Sequence, residues 1–466
     1  MIQETLVDGR LRAETIAYLI NNTDLTKFSA NNSYFTGNNP TILLKTAPTD
    51  STYPNNKVPI PYGRKIALTT KNYMFSKPVN YTAEDKDYMA MLTSVFNINE
   101  NQNKVNTAGE DLVVYGVAYK MFYFGTGNGT TPRYALIDGD EIIPIYSYDI
   151  EPEMVTAIRF YQIVNMADSS QTKTIIEVYY KLDMVKYIID GTVINETTMM
   201  MESDKPHGFY DIPLVVYGDR YQLGVFDTVK KIIDGIDSIT STDLNEIEKF
   251  ELAYLILKGQ KLDPSDVDKI KETRIFELDD TATLEYLLKQ IDNDFNGSIL
   301  DFLVAQIHKQ SGVPDFDSKE FAAESGVALL YKLMGFENLA ASYEILFTRG
   351  EQRSIDIINS IMFNIPDYDR AEYLEANPGK HVDIAMTRNI PGDVKDNIET
   401  AKEMLEVGIS MEKILDFVTV IDDTDAELKR IEKQKKDNIQ RFNDSAVAIE
   451  TKEVDEQDVV DDDQEG

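Results

Sequence analysis

Cysteine is absent from the 466 residues, and histidine occurs only at His207, His308 and His381. Without cysteine there is no disulfide scaffold, no thiolate zinc site and no cysteine nucleophile. The absence also fits folding in a reducing compartment. The histidines stand 101 and 73 residues apart, in three different modules, which argues against a shared metal site. Basic residues are scarce beside acidic ones, 46 against 80, for a net charge of −34. Such a chain does not grip nucleic acid or an anionic membrane through its overall charge. No apolar run approaches the ~20 residues of a transmembrane helix. The opening stretch MIQETLVDGRLRAETIAYLI mixes charged and apolar residues too finely for a signal peptide. The expectation is a soluble protein, made and used in a cytoplasm.

Catalytic motifs are missing as well. There is no GxSxG elbow, no HExxH and no GxxxxGK[ST], so this chain carries no P-loop motor. The run GTGNGTT, Gly125 to Thr131, lacks the Lys-Ser/Thr ending and the strand-to-helix context of a phosphate loop; it reads as a hairpin tip. Asp422, Asp423 and Asp425 sit where a helix N-terminus favours negative charge. No cofactor or metal is expected.

What is present is enough apolar content, 42%, to build a sizeable core. The length predicts two to four domains or one elongated assembly subunit. A short helix opens the chain, and the Asn/Thr/Ser-rich stretch Asn21 to Asn39 reads as loop. Residues 61–96 suggest a helix holding Ile66, Tyr73 and Phe75, then an extended piece at Pro78, Val79 and Tyr81. Residues 97–120 read as helix, with Asp111 to Tyr119 leading into a strand. Asp138-Gly139, between apolar runs in Tyr134 to Tyr146, predicts a hairpin turn. Strands are expected at 156–165, 173–182, 184–189 and 192–198, with a tight turn at Asp190-Gly191.

At Asp227 the periodicity becomes helical: Val229, Ile232, Ile233, Ile236, Ile239, Leu244, Ile247 and Phe250. About 24 residues of helix measure ~36 Å. A short insert follows: an apolar run at Ala253 to Leu257, a turn at Gly259, a polar helix near Pro264 to Lys271, then Arg274 to Leu278. A second helix, about 293–310, places Phe295, Ile299, Leu303 and Ile307 on one face and stops at Gly312 and Pro314. The insert is short enough that the two helices pair as antiparallel neighbours. A third helix, Gly326 to Phe363, is unusually long, and Gly335 and Gly350 are places where it can kink. Arg349 and Arg353 on it read as salt-bridging surface residues. His381 to Met386 reads as a strand. Val394, Ile398, Ala401 and Leu405 form a helical face ending at Gly408, and Thr424 with Glu427 caps a last helix. Residues 443–466 carry ten acids and one lysine and read as a disordered tail. An elongated acidic subunit without chemistry suggests an assembly component.

Several segments, taken in order, resemble a known family. They are Asn56-Lys57-Val58-Pro59-Ile60-Pro61-Tyr62-Gly63-Arg64, then Lys71, Tyr73 and Lys77-Pro78-Val79-Asn80-Tyr81. Tyr115 to Tyr119, Ile158 to Tyr161, Gly208, Pro213 to Val215 and the helix from Asp227 follow, with Asp234, Ser238, Asp243 and Asn245. Ala253-Tyr254-Leu255 and Gly259 come next, and the most specific stretch is SGVPDF, Ser311 to Phe316, with ESGVALLYKLMGFE, Glu324 to Glu337. The series, about 56–435, resembles the portal proteins of long-tailed bacteriophages of Gram-positive bacteria.

The resemblance implies an α+β, elongated portal fold and a structural rather than enzymatic role. Such subunits form a ring, normally twelve-fold, at one capsid vertex of the virion, assembled in the host bacterial cytoplasm. Double-stranded DNA passes through it during packaging and ejection. Carried onto this chain, residues 1–55 are an N-terminal arm and 56–226 a β-rich wing. The helices at 227–251 and 292–312 are the stem, around a small α/β clip at 252–291. Residues 326–390 are the long kinked wing helix with its strand, 391–442 a helical crown and 443–466 the acidic tail. Residues 313–325 are the tunnel loop, with Val313, Pro314, Asp315, Phe316, Asp317, Ser318, Lys319, Glu320 and Phe321 facing the DNA channel. Between two helix ends these residues have a loop's freedom. Phe316 and Phe321 need a packing partner, which a neighbouring subunit can supply. Lys319 is the segment's only cation. The implied partners are further copies of the chain, the terminase large subunit, the head-tail connector or adaptor, scaffold and major capsid protein, and no membrane. The alternative is another virion assembly protein, such as a head-tail adaptor or scaffold.

Overall fold

The computed structural model describes residues 2–3, 9–47, 54–125, 131–165, 168–250, 255–259, 261, 282–286, 293–318, 326–389, 401–411, 414 and 428–436. The helices with defined bounds are α1 (Ala13–Asn22), α2 (Thr26–Thr36), α3 (Pro40–Leu43), α4 (Tyr62–Phe75), α5 (Lys86–Ile98), α6 (Asn101–Tyr115), α7 (Lys230–Phe250), α8 (Asn293–Ser311), α9 (Gly326–Met362) and α10 (Arg370–Ala376). The strands are β1 (Ile2–Gln3), β2 (Asn80–Thr82), β3 (Val117–Tyr123), β4 (Arg133–Ile137), β5 (Ile142–Tyr146), β6 (Met154–Asn165), β7 (Asp168–Tyr179), β8 (Asp183–Asp190), β9 (Met200–Pro206), β10 (Leu214–Gly218), β11 (Leu255–Lys258), β12 (Thr283–Tyr286) and β13 (Asp383–Ala385). The chain divides into two units, 1–389 and 390–466.

In the first unit, strands β1-β5-β6-β7-β8-β9 form one sheet and β10-β3-β4 a second. Alternation organises the first. Ile158, Ile176, Val178, Val185, Tyr187 and Ile189 point to one face, where Ile16, Ala17, Leu19 and Ile20 of α1 cover them. The other face carries ion pairs, Arg159–Glu177 at 3.4 Å and Lys186–Glu202 at 2.7 Å. Strand β3 is buried on both faces and therefore reads as a nearly continuous apolar run. Val117, Tyr119 and Met121 pack into one cluster, Ala118 and Phe122 into the main core with α4, α6 and α9.

The main core encloses one charge pair. Lys120 of β3 meets Glu351 of α9 at 2.6 Å, both side chains about 1% exposed. Tyr217 and Tyr81 donate to the same carboxylate at 2.5 and 3.0 Å. A buried pair of this kind sets register, because any slip of the helix leaves a charge unpaired. Gly350 stands beside it for a related reason. A Cβ there would lie 2.2 Å from the Tyr217 ring, so only glycine lets α9 approach the sheet this closely. The helix runs uninterrupted through Gly335 and Gly350.

Several expectations are corrected. Asn21 to Asn39 is not loop: it contains α2, on which Phe28, Asn31 and Tyr34 are buried. Asn31 donates to the Val114 carbonyl and Tyr34 to Asp234, each at 2.7 Å, so tertiary contacts override a weak helical propensity. Asp138-Gly139 turns no hairpin. β4 pairs with β3 and β5 with β6, so residues 138–141 carry the chain from one sheet to the other. Gly139 is there for close approach, since a Cβ would lie 2.0 Å from the Phe28 ring. Residues 192–198 are not a strand; the Asn195 side chain accepts from the amides of Thr197 and Thr198 and closes a turn before β9. Arg353 does pair with Asp211, at 2.8 Å, but Arg349 donates to the Gly218 carbonyl instead.

Strands β3 and β4 pair antiparallel on either side of the Gly-rich run Gly125 to Thr131, and β13 occupies part of the strand expected from His381. In the second unit residues 401–406 and 428–436 are helical, and Gly408 has φ +88°. The expected polar helix near Pro264, the run Arg274 to Leu278, the face from Val394, the Asp422 cluster, the Thr424 cap and the tail from 443 lie outside the described residues.

Candidate functional site

Helices α7 and α8 flank the insert and pack as antiparallel neighbours. Asn296 donates to Asp243 at 2.8 Å, and eight residues earlier on α7 a Cβ at Gly235 would lie 3.7 Å from Leu303, seven residues later on α8. Between them β11 and β12 pair antiparallel, Leu255 opposite Tyr286 and Lys258 opposite Thr283. Ile233 and Ile236 of α7 and Ile307 of α8 are buried in the main core, whereas Ile247 and Phe302 are 58% and 60% exposed. The pair is thus rooted in the body at one end, with large apolar side chains left uncovered farther along.

A strap locks α7 in place. The amides of Asn56, Val58 and Ile60 donate to Asn245, Ser241 and Asp237, at 2.6, 3.0 and 2.8 Å. The periods match: two extended residues advance ~6.7 Å and four helical residues ~6 Å. Alternate strap residues therefore meet every fourth helix residue. Pro59 and Pro61 fall between donors, at positions where no N–H is needed. Asn39 reaches the same helix, donating to Asp234 at 3.1 Å and Asp237 at 2.7 Å. Burial raises the Asp237 carboxyl above its ordinary range, opposed by the hydrogen bonds from Ile60 and Asn39.

After α8 the chain turns at Gly312 and enters the segment expected to face a channel. Residues 313–318 are described; Lys319, Glu320 and Phe321 lie outside the described residues. The described part is anchored rather than free. Val313 is buried in the main core, and its carbonyl contacts His308 Nδ1 at 2.9 Å. Asp315 and Asp317 meet Lys65 Nζ at 3.2 and 2.9 Å. Ser318 donates to the Asp315 carbonyl at 3.0 Å. Phe316 sets its ring edge-on to Phe336 of α9, centroids 6.3 Å apart, so its packing partner lies within the same subunit. Lys65 was not among the residues singled out from sequence. It belongs to α4, about 250 residues away, and only its place beside Arg64 in the strap-helix motif hints at it.

The histidines stay apart. His207 contacts the Tyr180 carbonyl, His308 lies 3.8 Å from Asp315, and His381 lies 3.4 Å from Asp383. Among the described residues no group of three metal-ligating side chains gathers. Nor is any helix among them long and apolar enough to cross a membrane.

An α+β body from which a rooted helix pair carries a two-stranded antiparallel sheet, followed by an anchored segment and a 37-residue helix, is the architecture expected of an assembly subunit. More particularly, the chain belongs to the family described as Phage portal protein, SPP1 Gp6-like, whose pattern matches residues 18–441. It is similar to the portal protein of Clostridium phage phiCD119, 23% identical over 367 residues, covering 74% of this chain and 77% of the relative. It is also similar to the portal protein of Bacillus phage SPP1, 20% identical over 401 residues, covering 83% of this chain and 77% of the relative. The chain is a bacteriophage portal subunit, of a structural family whose members are virion components and form oligomeric rings associated with the capsid.

Proposed function

We propose that this subunit forms a twelve-fold ring at one capsid vertex, the conduit for double-stranded DNA during packaging and ejection. Family membership over 18–441 is the observation that carries the proposal. Helices α7 and α8 serve as the stem, and the insert with β11 and β12 as the clip, where the terminase large subunit and later the head-tail connector dock. The two sheets with α4 to α6 and α9 make up the wing. The N-terminal helices α1 and α2, which pack into the same cores, belong with it. The unit boundary at 389/390 supports a separate crown beginning near residue 391. Scaffold and major capsid protein contact the outer surface.

The segment from Val313 to Phe321 is the tunnel loop of this proposal, its base fixed by Lys65 and its far part reaching the DNA. Acidic composition suits a conduit, because tight binders neutralise phosphates with Lys and Arg, whereas a sliding duplex must not be held. The test is to assemble proheads with the wild-type chain and with a variant in which Lys319, Glu320 and Phe321 are replaced by Gly-Ser-Gly. Intact rings with less nuclease-protected DNA are expected. Full-length packaging by the variant contradicts the DNA role of the loop, and proheads that package without any copy of the chain contradict the conduit.

A further inference from the structure

We propose that Lys65 is a positioning residue: it clamps the base of the tunnel loop to α4 and so sets where the loop enters the channel. The proposal rests on the DNA-passage role given above to the segment after α8.

The geometry begins with the strap. Residues 56–60 are held to α7 by three amide hydrogen bonds, and α4 begins directly after them at Tyr62. Lys65 therefore stands on a fixed platform in the first turn of α4. Its ammonium lies between two carboxylates, 3.2 Å from Asp315 Oδ1 and 2.9 Å from Asp317 Oδ2. Asp315 Oδ1 also accepts the Asp317 amide at 3.3 Å, so one side chain closes a local turn and meets the clamp. Val313 anchors the segment on its N-terminal side and Phe316 leans on Phe336. Among the described residues both aspartates pair with Lys65, and Asp315 also lies 3.8 Å from His308 Nε2. Hydrogen bonding from Lys65 lowers the Asp317 carboxyl, in line with a charge-assisted contact.

Exposure decides how firm the clamp is. The Lys65 side chain is 39% exposed and that of Asp317 80%. Pairs this open are weak. The clamp biases the segment toward one position and can open without unfolding the subunit. Strap, clamp and loop base then form one continuous connection from the stem helix α7 to the entrance of the loop.

The experiment is amide hydrogen exchange on assembled rings of wild type, Lys65→Ala, Lys65→Arg and Asp317→Asn, with nuclease-protected DNA measured in proheads built from each. Lys65→Ala is expected to speed exchange at 315–318 roughly two- to five-fold, the range that a weak ion pair allows. Exchange across α7 and α9 stays unchanged. Lys65→Arg preserves wild-type exchange, and Asp317→Asn, at an exposed position that cannot unfold the chain, moves in the same direction as Lys65→Ala with a smaller amplitude. Protected DNA falls in proportion to the loosening. Unchanged exchange in both Lys65→Ala and Asp317→Asn overturns the clamp, whatever the DNA result. Faster exchange with normal DNA retention leaves the contact in place but overturns its role in DNA passage, and with it the tunnel-loop assignment.

Discussion

At the scale of single residues, the pair Lys120–Glu351 has the largest expected energetic consequence. Replacing Lys120 by Met leaves Glu351 buried and uncompensated, with Tyr81 and Tyr217 still donating to it. The expected loss is about 3–5 kcal/mol, read as a lower urea midpoint. The double change Lys120→Met with Glu351→Leu loses less than the single one. Equal losses for both variants would show that packing, not the unpaired charge, dominates. Asp111 offers a pH-dependent case. Burial, then repulsion from Asp138 and Glu110, pushes its carboxyl up to about 7. Unfolded, it titrates near the ordinary value of about 3.9. As pH rises from about 4 to 7, the unfolded chain gives up this proton and the folded chain keeps it, so stability falls across that window. Asp111→Asn should change little at pH 4 and stabilise at pH 8 by on the order of 1–3 kcal/mol. Thermal unfolding at the two pH values checks this, and equal shifts at both would contradict it. None of these three roles was legible in sequence, because each depends on groups brought near only by the fold.

At the scale of elements, the strap is the device that one-dimensional patterns hide most completely. Asn56 to Pro61 was visible as a motif, and so were Asp234 and Asn245, but the match of alternate amides to every fourth helix residue exists only once α7 has formed. Ser241→Ala removes the acceptor of the Val58 amide. An orphaned buried donor costs about 1–3 kcal/mol, and this half-buried amide should fall at or below the lower end of that range, with its exchange rising; an unprotected Val58 amide in the wild type would sink the strap. Helices with long apolar periodicity, α7, α8 and α9, were readable within a few residues of their ends. The antiparallel pairing of α7 with α8 was readable too, from the shortness of the insert. Elements stabilised by distant partners were not. Helix α2 has a weak pattern of its own and is held by Val114 and Asp234. Gly139 carried a turn signal, yet serves the Phe28 ring. Of the loop segment, the position after Gly312 was readable. The anchoring of Asp315 and Asp317 was not, since Lys65 lies far away in the chain.

At the scale of the whole molecule, the family pattern ends at residue 441, just before the acidic stretch 443–466. Truncation after Phe442 is therefore expected to leave ring formation intact, as sedimentation of the truncated protein would show; monomers alone would contradict it. Ile247 and Phe302 on the rooted helix pair are left uncovered by the described residues, and the ring proposed above would bring a neighbouring copy against them. Negative-stain imaging of the purified full-length protein at micromolar concentration and moderate salt tests this most directly. Ring-shaped particles with a central hole wide enough for duplex DNA are the predicted result. A uniform field of small, compact, single-subunit particles would contradict it.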